Sequence, residues 1–222
     1  MGIKENLLKI KEQIPANVEL VTVSKTKPNE DILKAYQNGQ RAFGENKAQE
    51  IIKKQPELPA DIQWHFIGHL QRNKVKFIVP FVHLIHSVDS FRLLREINKE
   101  AGKINRVVDC LLQFHIATEE SKYGLELSEA TELLQSDVFQ KMEHIQVRGV
   151  MGMATFTEDM DFVKKEFYKL VAIYRELKDS YFKQTDHFNI ISGGMSGDYP
   201  VAIREGCNMI RVGSDIFGER NY

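Results

Sequence analysis

The feature that most limits the fold of this chain is a regular alternation of short β-branched runs with longer stretches of helical spacing. Eight strands are predicted, and a helical pattern follows nearly every one. The predicted strands cover residues 19–24, 41–44, 64–68, 84–88, 107–116, 147–153, 188–192 and 209–212. The predicted helices cover residues 29–38, 47–54, 70–78, 90–101, 128–135, 160–179 and 199–205. This order is typical of an α/β protein with a parallel sheet.

Such a chain can form an open doubly wound sheet or a closed (β/α)8 TIM barrel, and the count of eight strands favours the barrel. No long linker or shift in composition divides the sequence, so we predict one domain over residues 1–222. No helical pattern follows the eighth strand. An N-terminal helix with Ile3, Leu7, Ile10 and Ile14 on one face is expected to fill that place in the helical ring.

The composition excludes several classes of function. The sequence is 42% hydrophobic and 27% charged with a net charge of −1, which is typical of a globular protein without a surface for nucleic acid or anionic lipid. No apolar run reaches the roughly 20 residues of a membrane-spanning helix. The N-terminal stretch is charged where a signal peptide would be apolar. We therefore expect a cytoplasmic protein with neither nucleic-acid nor membrane partners.

The cysteines and histidines do not indicate a disulfide or a metal site. Cys110 and Cys207 lie in apolar runs and are expected to be buried free thiols. His65 and His69 are four residues apart, but Gly68 between them marks a strand-to-helix junction rather than a helix face. The pair His83 and His86 likewise lacks cysteines or carboxylates at ligand spacing, so no metal is expected.

Lys25 ends an alternating apolar stretch. Side chains alternate along a strand, so Val21, Val23 and Lys25 share one face. In a barrel this face points inward, and Lys25 then lies at the C-terminal mouth, where TIM barrels place their chemistry. A partly buried lysine suits Schiff-base chemistry, because burial lowers an ammonium pKa and exposes a nucleophilic amine. The alternative is a loop lysine in water, which we expect for Lys27.

The segments after the last two strands are rich in glycine and serine. They read SGGMSGDYP (192–200) and RVGSDIFG (211–218), and Ser192, Ser196 and Ser214 supply hydroxyl groups. TIM barrels that bind phosphate often do so with the loops after strands seven and eight. The segments therefore indicate a phosphate site, although tight turns between strands and helices use the same residue types.

Arg211 is predicted to point into the barrel mouth, since Met209, Arg211 and Gly213 share one face of the last strand. A guanidinium there needs an acceptor, either a carboxylate in a structural ion pair or a ligand. Pyridoxal 5′-phosphate is one ligand that offers an aldehyde to Lys25, a phosphate to the two loops and a ring nitrogen to Arg211. An arginine at that nitrogen leaves it unprotonated and makes the cofactor a weak electron sink.

Six longer motifs carry a family resemblance. They are TVSKTKP (22–28), FGENKAQE (43–50), WHFIGHLQRNK (64–74), HSVDS (86–90), EESKYG (119–124) and GMSGDYPVAIREGCNMIRVGSDIFG (194–218). These motifs resemble the pyridoxal phosphate homeostasis protein family, single-domain barrels related to the N-terminal domain of alanine racemase (fold type III). The match covers nearly the whole chain.

The resemblance implies that pyridoxal 5′-phosphate forms a Schiff base with Lys25 and that Arg211 contacts the ring nitrogen. The other residues that it implies for cofactor binding are Asn46, His65, Ser192, Met195, Ser196, Gly213 and Ser214. This chain departs from the family pattern at His115, where an asparagine is frequent, and at Gly193, where a methionine is frequent. We expect the first change to alter pocket polarity and the second to keep a small, permissive loop.

The function that the resemblance implies is a carrier and buffer of pyridoxal phosphate in vitamin B6 homeostasis, with effects on amino-acid and keto-acid balance. Apo-forms of pyridoxal-phosphate enzymes are candidate partners. The second base and the dimer-forming domain of alanine racemase are not found after the last strand, so we expect a monomer without robust catalysis. A racemase or weak transaminase is the alternative, with His65, His115 or Tyr123 as the second base. A Schiff-base aldolase acting on a sugar phosphate is a third hypothesis.

Overall fold

The computed structural model describes residues 2–118 and 123–219, and within them eight parallel strands form a closed barrel. Each strand pairs with the next in chain order, and β8 pairs with β1. The strands are β1 (Glu19–Val23), β2 (Ala42–Glu45), β3 (Gln63–Phe66), β4 (Leu84–Val88), β5 (Val108–Phe114), β6 (Ile145–Gly152), β7 (Ile190–Ser192) and β8 (Met209–Val212). The predicted (β/α)8 fold is confirmed.

Helices surround the barrel. They are α1 (Ile3–Gln13), α2 (Asn29–Gln37), α3 (Ala48–Lys54), α4 (Val75–Ile78), α5 (Phe91–Gly102), α6 (Leu127–Gln135), α7 (Asp137–Gln140), α8 (Met160–Tyr181), α9 (Tyr199–Glu205) and α10 (Ser214–Phe217). The start of α8 shows how the sequence sets a boundary: Asp159 accepts a hydrogen bond from the Phe162 amide at 3.0 Å. Ser90 caps α5 in the same way.

The helical ring closes as predicted. The N-terminal α1 contacts α2 and α10, and its buried face includes Leu7 and Ile10. The side-chain amide of Asn6 donates to the Ile216 carbonyl at 3.1 Å. The helix therefore joins the last unit of the barrel to the first.

Short helical turns account for most of the differences from the predicted elements. The predicted helix over 70–78 consists of a 3₁₀ turn at Arg72–Lys74 followed by α4. The one-turn helix α7 was not predicted, and α10 follows β8 where no helix was expected. A single turn is too short for helical periodicity to show in the sequence. Of the EESKYG motif, residues 119–122 lie outside the described residues.

Apolar side chains are buried both outside and inside the barrel. The outer core, between strands and helices, contains Leu20, Ile210 and Val212. A smaller inner cluster consists of Val21, Ala42, Leu84, Leu111, Met151 and Met209. This register confirms the predicted inward faces of β1 and β8. Among the described residues, no helix has the length and apolar character needed to cross a membrane.

Candidate functional site

A cavity of about 510 Å³ opens at the C-terminal ends of the strands. All nine predicted site residues are described, and seven of them line this cavity: Lys25, Asn46, Met195, Ser196, Arg211, Gly213 and Ser214. The other two, His65 and Ser192, are fully buried below it. The barrel therefore gathers the lysine, the arginine and both glycine–serine loops around one space.

The backbone is held on both sides of Lys25, which is half-buried just beyond the end of β1. Before it, the carbonyl of Ser24 accepts a hydrogen bond from Lys54 Nζ at 2.9 Å. After it, the amide of Thr26 donates to Glu50 Oε1 at 2.5 Å. Thr26 has a φ of 65°, which a β-branched residue rarely adopts. These contacts fix the point at which the chain turns out of the barrel.

The ammonium group that holds Ser24 belongs to a buried ion-pair network. Lys54 Nζ lies 2.8 Å from Glu45 Oε1 and 2.7 Å from Glu50 Oε1. Burial is the largest influence on the Glu45 carboxyl and raises its pKa, whereas the nearby Lys54 acts in the opposite direction. A buried charge is costly without its partner, so this network ties the position of Lys25 to the stability of the fold.

Arg211 is buried at the bottom of the cavity and is held by two acceptors. Its Nη1 donates to Ser192 Oγ at 2.5 Å, and its Nη2 donates to the Gly152 carbonyl at 3.0 Å. Burial lowers the pKa of Arg211 to about 10, so the guanidinium remains cationic at neutral pH. A guanidinium has five N–H donors, which leaves capacity for an acceptor in the cavity.

A chain of hydrogen bonds continues from Arg211 through the barrel interior. Ser192 Oγ lies 3.0 Å from His86 Nδ1, and His86 Nε2 lies 2.9 Å from His65 Nδ1. Ser192 Oγ accepts from Arg211, and we assign its hydroxyl as the donor to His86 Nδ1, which places the His86 proton on Nε2. Burial lowers the pKa of His65 to about 3 and that of His86 well below its usual range, so both rings are neutral.

The far end of this chain is an unsatisfied atom. With His65 Nδ1 accepting from His86, the His65 proton lies on Nε2. That atom is buried without a hydrogen-bond partner among the described residues, and Glu19 Oε1 is 3.9 Å away. The hydrogen bonds therefore link the positions of the polar groups from His65 to Arg211 through the barrel interior.

The two glycine–serine loops lie side by side. The amide of Gly213 points at Ser196 Oγ at 3.4 Å, and the amide of Met195 donates to Asp198 Oδ1 at 2.5 Å. A Cβ on Gly213 would lie 3.1 Å from the Val23 carbonyl oxygen, so a glycine lets this loop approach β1. The loops thus form a compact wall of amides and hydroxyls beside Lys25.

The cavity is also lined by Gln113, Phe156, Met160 and His69, which the sequence did not place in the site. Gln113 Nε2 donates to the Tyr123 carbonyl at 2.8 Å. His69 follows β3 and lies 3.0 Å from Asp89, which follows β4. His69 and Asp89 each lie just beyond the end of a strand, which was the signal available in the sequence. That signal does not show that the two side chains contact each other.

Four side chains lie elsewhere than the sequence led us to expect. Ser192 and His65 do not reach the cavity, because each lies lower in the barrel, where Ser192 bonds to Arg211 and His65 bonds to His86. His115 is half-buried, with Nδ1 3.7 Å from Glu126 Oε1, and is not among the described residues that line the pocket. Lys27, expected in water, is half-buried against the cavity and donates to the carbonyls of residues 217–219 at 3.1–3.2 Å.

The loop at Gly193 is also tighter than expected. A Cβ at this position would lie 2.7 Å from Cys207 Sγ and 3.1 Å from Phe167 Cε1. The site therefore has no room for a larger side chain unless its neighbours move. No group of three or more His, Cys, Asp or Glu side chains in residues 2–118 and 123–219 is placed to hold a metal ion.

Comparison with known proteins gives a consistent result. The family model of the alanine racemase N-terminal domain matches residues 2–221. A pyridoxal phosphate homeostasis protein of Aquifex aeolicus is 40% identical over 205 residues, which cover 92% of this chain and 88% of the relative. The protein of the same name in Homo sapiens is 35% identical over 214 residues, covering 91% of this chain and 77% of the relative.

A solved structure gives the same result. PipY of Synechococcus elongatus, with pyridoxal phosphate bound, superimposes with a TM-score of 0.87 at 35% identity, covering 97% of this chain and 100% of that chain. The similarity thus extends over the strands and loops that surround the cavity. The chain belongs to the pyridoxal phosphate homeostasis protein family, which shares the barrel of the alanine racemase N-terminal domain.

Proposed function

We propose that this protein binds pyridoxal 5′-phosphate through a Schiff base with Lys25 and serves as a carrier in vitamin B6 homeostasis. The observation that carries this proposal is that Lys25, Arg211 and both glycine–serine loops line a single cavity. The names of the relatives and the cofactor bound to PipY support it.

The residues at the cavity fit the cofactor. Asn46 Oδ1 is buried at the cavity wall and has no hydrogen-bond partner among the described residues. This oxygen can accept a hydrogen bond from a donor on the ligand, and the Nδ2 group of the same amide can donate one to an acceptor such as the phenolic oxygen. Ser196, Gly213 and Ser214 supply hydroxyl and amide donors for a phosphate. Each polar part of the ligand therefore has a partner of suitable chemistry.

The residues of the site favour binding of the cofactor over catalysis with it. When bound, pyridoxal phosphate supplies an electron sink for carbanion chemistry. Arg211 remains cationic near neutral pH. It would donate to the ring nitrogen of the bound cofactor, which would keep that nitrogen unprotonated and the sink weak. Of the candidate second bases, His65 lies below the cavity and His115 lies outside its described wall. Tyr123 does line the cavity.

The test is the visible absorption spectrum of protein incubated with pyridoxal phosphate and then desalted. We expect a yellow band in the parent that is lost in Lys25→Ala and retained in Lys34→Ala, a control at an exposed lysine of α2. A parent that stays colourless would overturn the proposal. Borohydride trapping of Lys25 only after a sugar phosphate is added would instead support the aldolase.

The carrier role has its own test. Loaded, desalted protein is mixed with an apo-form of a pyridoxal-phosphate enzyme, and the recovery of that enzyme's activity is followed. We expect recovery faster than spontaneous release of the cofactor into buffer allows. Recovery at the rate of spontaneous release would leave a storage role and exclude delivery.

A further inference from the structure

His69 and Asp89 form a histidine–carboxylate dyad at the rim of the cavity. His69 Nδ1 lies 3.0 Å from Asp89 Oδ2, and the side chains are 44% and 9% exposed, respectively. The nearly buried carboxylate thus fixes a ring that keeps access to water. His69 lines the same cavity as Lys25.

The hydrogen bond to Asp89 determines which nitrogen of His69 can accept a proton from a ligand. The Asp89 carboxylate accepts a hydrogen bond from Nδ1–H, which leaves Nε2 with a free lone pair in the neutral ring. Tyr123 stacks on the imidazole with ring centroids 4.3 Å apart and an interplanar angle of 23°. Two contacts therefore fix the orientation of the ring, and a carboxylate is placed to stabilise the imidazolium that forms when Nε2 takes a proton.

The cavity beside this dyad has an apolar wall whose backbone is held at Thr155. Met153, Phe156 and Met160 line it. The segment that carries them is tied to α8, because buried Glu166 accepts hydrogen bonds from the Thr155 amide at 2.7 Å and the Thr155 hydroxyl at 2.8 Å. Phe156 is 96% exposed, so this part of the wall presents apolar surface to an incoming ligand.

We propose that this half of the cavity binds a small primary amine with an apolar side chain, and that His69 is its base. The ligand enters as an ammonium ion. His69 Nε2 takes one proton, so that one N–H bond breaks and its electron pair stays on the ligand nitrogen. The imidazolium, paired with Asp89, returns the proton to water through the exposed edge of the ring. The product is a free amine next to Lys25.

This inference rests on the proposed function, since a free amine is the form that can exchange with a Schiff base at Lys25. An ammonium ion lacks the lone pair that this exchange requires. Amines reach the site protonated at neutral pH, so a base inside the cavity removes the proton that must leave before the amine can react. The dyad would thereby make release of the cofactor from Lys25 depend on amine ligands.

The kinetic test uses protein loaded with pyridoxal phosphate and mixed with L-leucine or isobutylamine. The rate of change of the visible band should fall about 100-fold in His69→Gln and Asp89→Asn, the lower end of the range for loss of a general base. The control His115→Gln, outside the described cavity wall, should keep the parent rate. Equal rates in parent and His69→Gln would overturn the proposal. A larger effect on L-leucine than on isobutylamine would assign the site to amino acids, and the reverse to simple amines.

A second readout needs no cofactor. In the unloaded protein with ¹⁵N-labelled histidine, we expect the NMR signals of His69 to show a protonated Nδ1 and a bare Nε2. Adding either amine should move the Nε2 signal, and Asp89→Asn should change the tautomer. An Nε2 signal that neither amine moves would refute the amine site even if the yellow band is present. A colourless parent would refute the proposed function, while this measurement would still test the dyad.

Discussion

Lys54 Nζ donates a hydrogen bond of 2.9 Å to the carbonyl of Ser24, the residue that precedes Lys25. The same ammonium is paired with two carboxylates, one of them the fully buried Glu45. A group that stabilises the fold thus also positions the strand end from which Lys25 projects. Substitutions in this network should therefore affect stability and cofactor binding together.

Replacing Lys54 should be strongly destabilising. Lys54→Met leaves Glu45 buried without a counter-charge, and we expect the free energy of unfolding to fall by about 3–5 kcal/mol. Urea denaturation measures this. Lys53→Met, at the exposed neighbouring position, is the matched control and should change stability little. Adding Glu45→Gln to Lys54→Met should recover part of the loss. A loss below about 1 kcal/mol in Lys54→Met would show that the pair contributes little to the stability of the fold.

Ser192→Ala should disturb Arg211 without touching the cavity wall. The substitution removes the acceptor of the Arg211 Nη1 bond and the partner of His86 Nδ1. We expect a cost of about 1–3 kcal/mol in unfolding free energy and a weaker affinity for pyridoxal phosphate. Ser87→Ala is the control, because Ser87 Oγ is equally buried but has no hydrogen-bond partner among the described residues. Equal losses in both variants, measured by denaturation and by absorbance titration, would contradict the prediction.

The buried histidines should make stability depend on pH. The pKa of His65 is about 3 in the folded state and about 6.5 when the chain is unfolded. Below pH 6.5 the unfolded chain binds a proton that the folded chain does not, so the free energy of unfolding falls as the pH falls. The slope from one such histidine approaches about 1.4 kcal/mol per pH unit below pH 6, and it fades above pH 7.

His65→Gln isolates this contribution. The stability difference between parent and variant should shrink by about 2 kcal/mol between pH 7 and pH 5, because the variant lacks the titrating ring. Urea denaturation at pH 8, 7, 6 and 5 measures it. Between pH 8 and 7 the difference should stay constant. Parallel pH profiles from pH 7 to pH 5 would show that His65 does not titrate with the pKa that its burial indicates.

Gly193→Ala should be destabilising although the change is small. The new methyl group would lie 2.7 Å from Cys207 Sγ, and such overpacking costs about 1–3 kcal/mol. Cys207→Ala in the same chain removes the sulfur and should recover part of the loss, as a double-mutant cycle would measure. Gly197→Ala is a control, since a Cβ there meets no atom within 4 Å. Additive losses in the cycle would mean that the Cys207 sulfur is not the obstacle.

The sequence by itself determined where the strands lie and which of their faces point inward. It therefore also determined that Lys25 and Arg211 point into the mouth of the barrel. The physical reason is local: side chains alternate with a period of two, so the apolar residues of a strand report which face is buried. The same periodicity put Val21 and Met209 inside the barrel, as the structure shows. Glycine and serine after the last two strands indicated the loops beside Lys25 because turns and phosphate sites need those residues.

The tertiary structure alone decided how deep each inward residue lies and which strands face each other. The alternation of side chains along a strand indicates that Ser192 and His65 point inward, but it does not give their depth. A step of two residues along a strand moves a side chain about 6–7 Å, from the mouth of the barrel into its interior. The contacts His69–Asp89 and Lys54–Ser24 join residues 20 and 30 positions apart. Such contacts depend on the stagger of the strands and on the closure of the barrel, and no local sequence pattern encodes either of them.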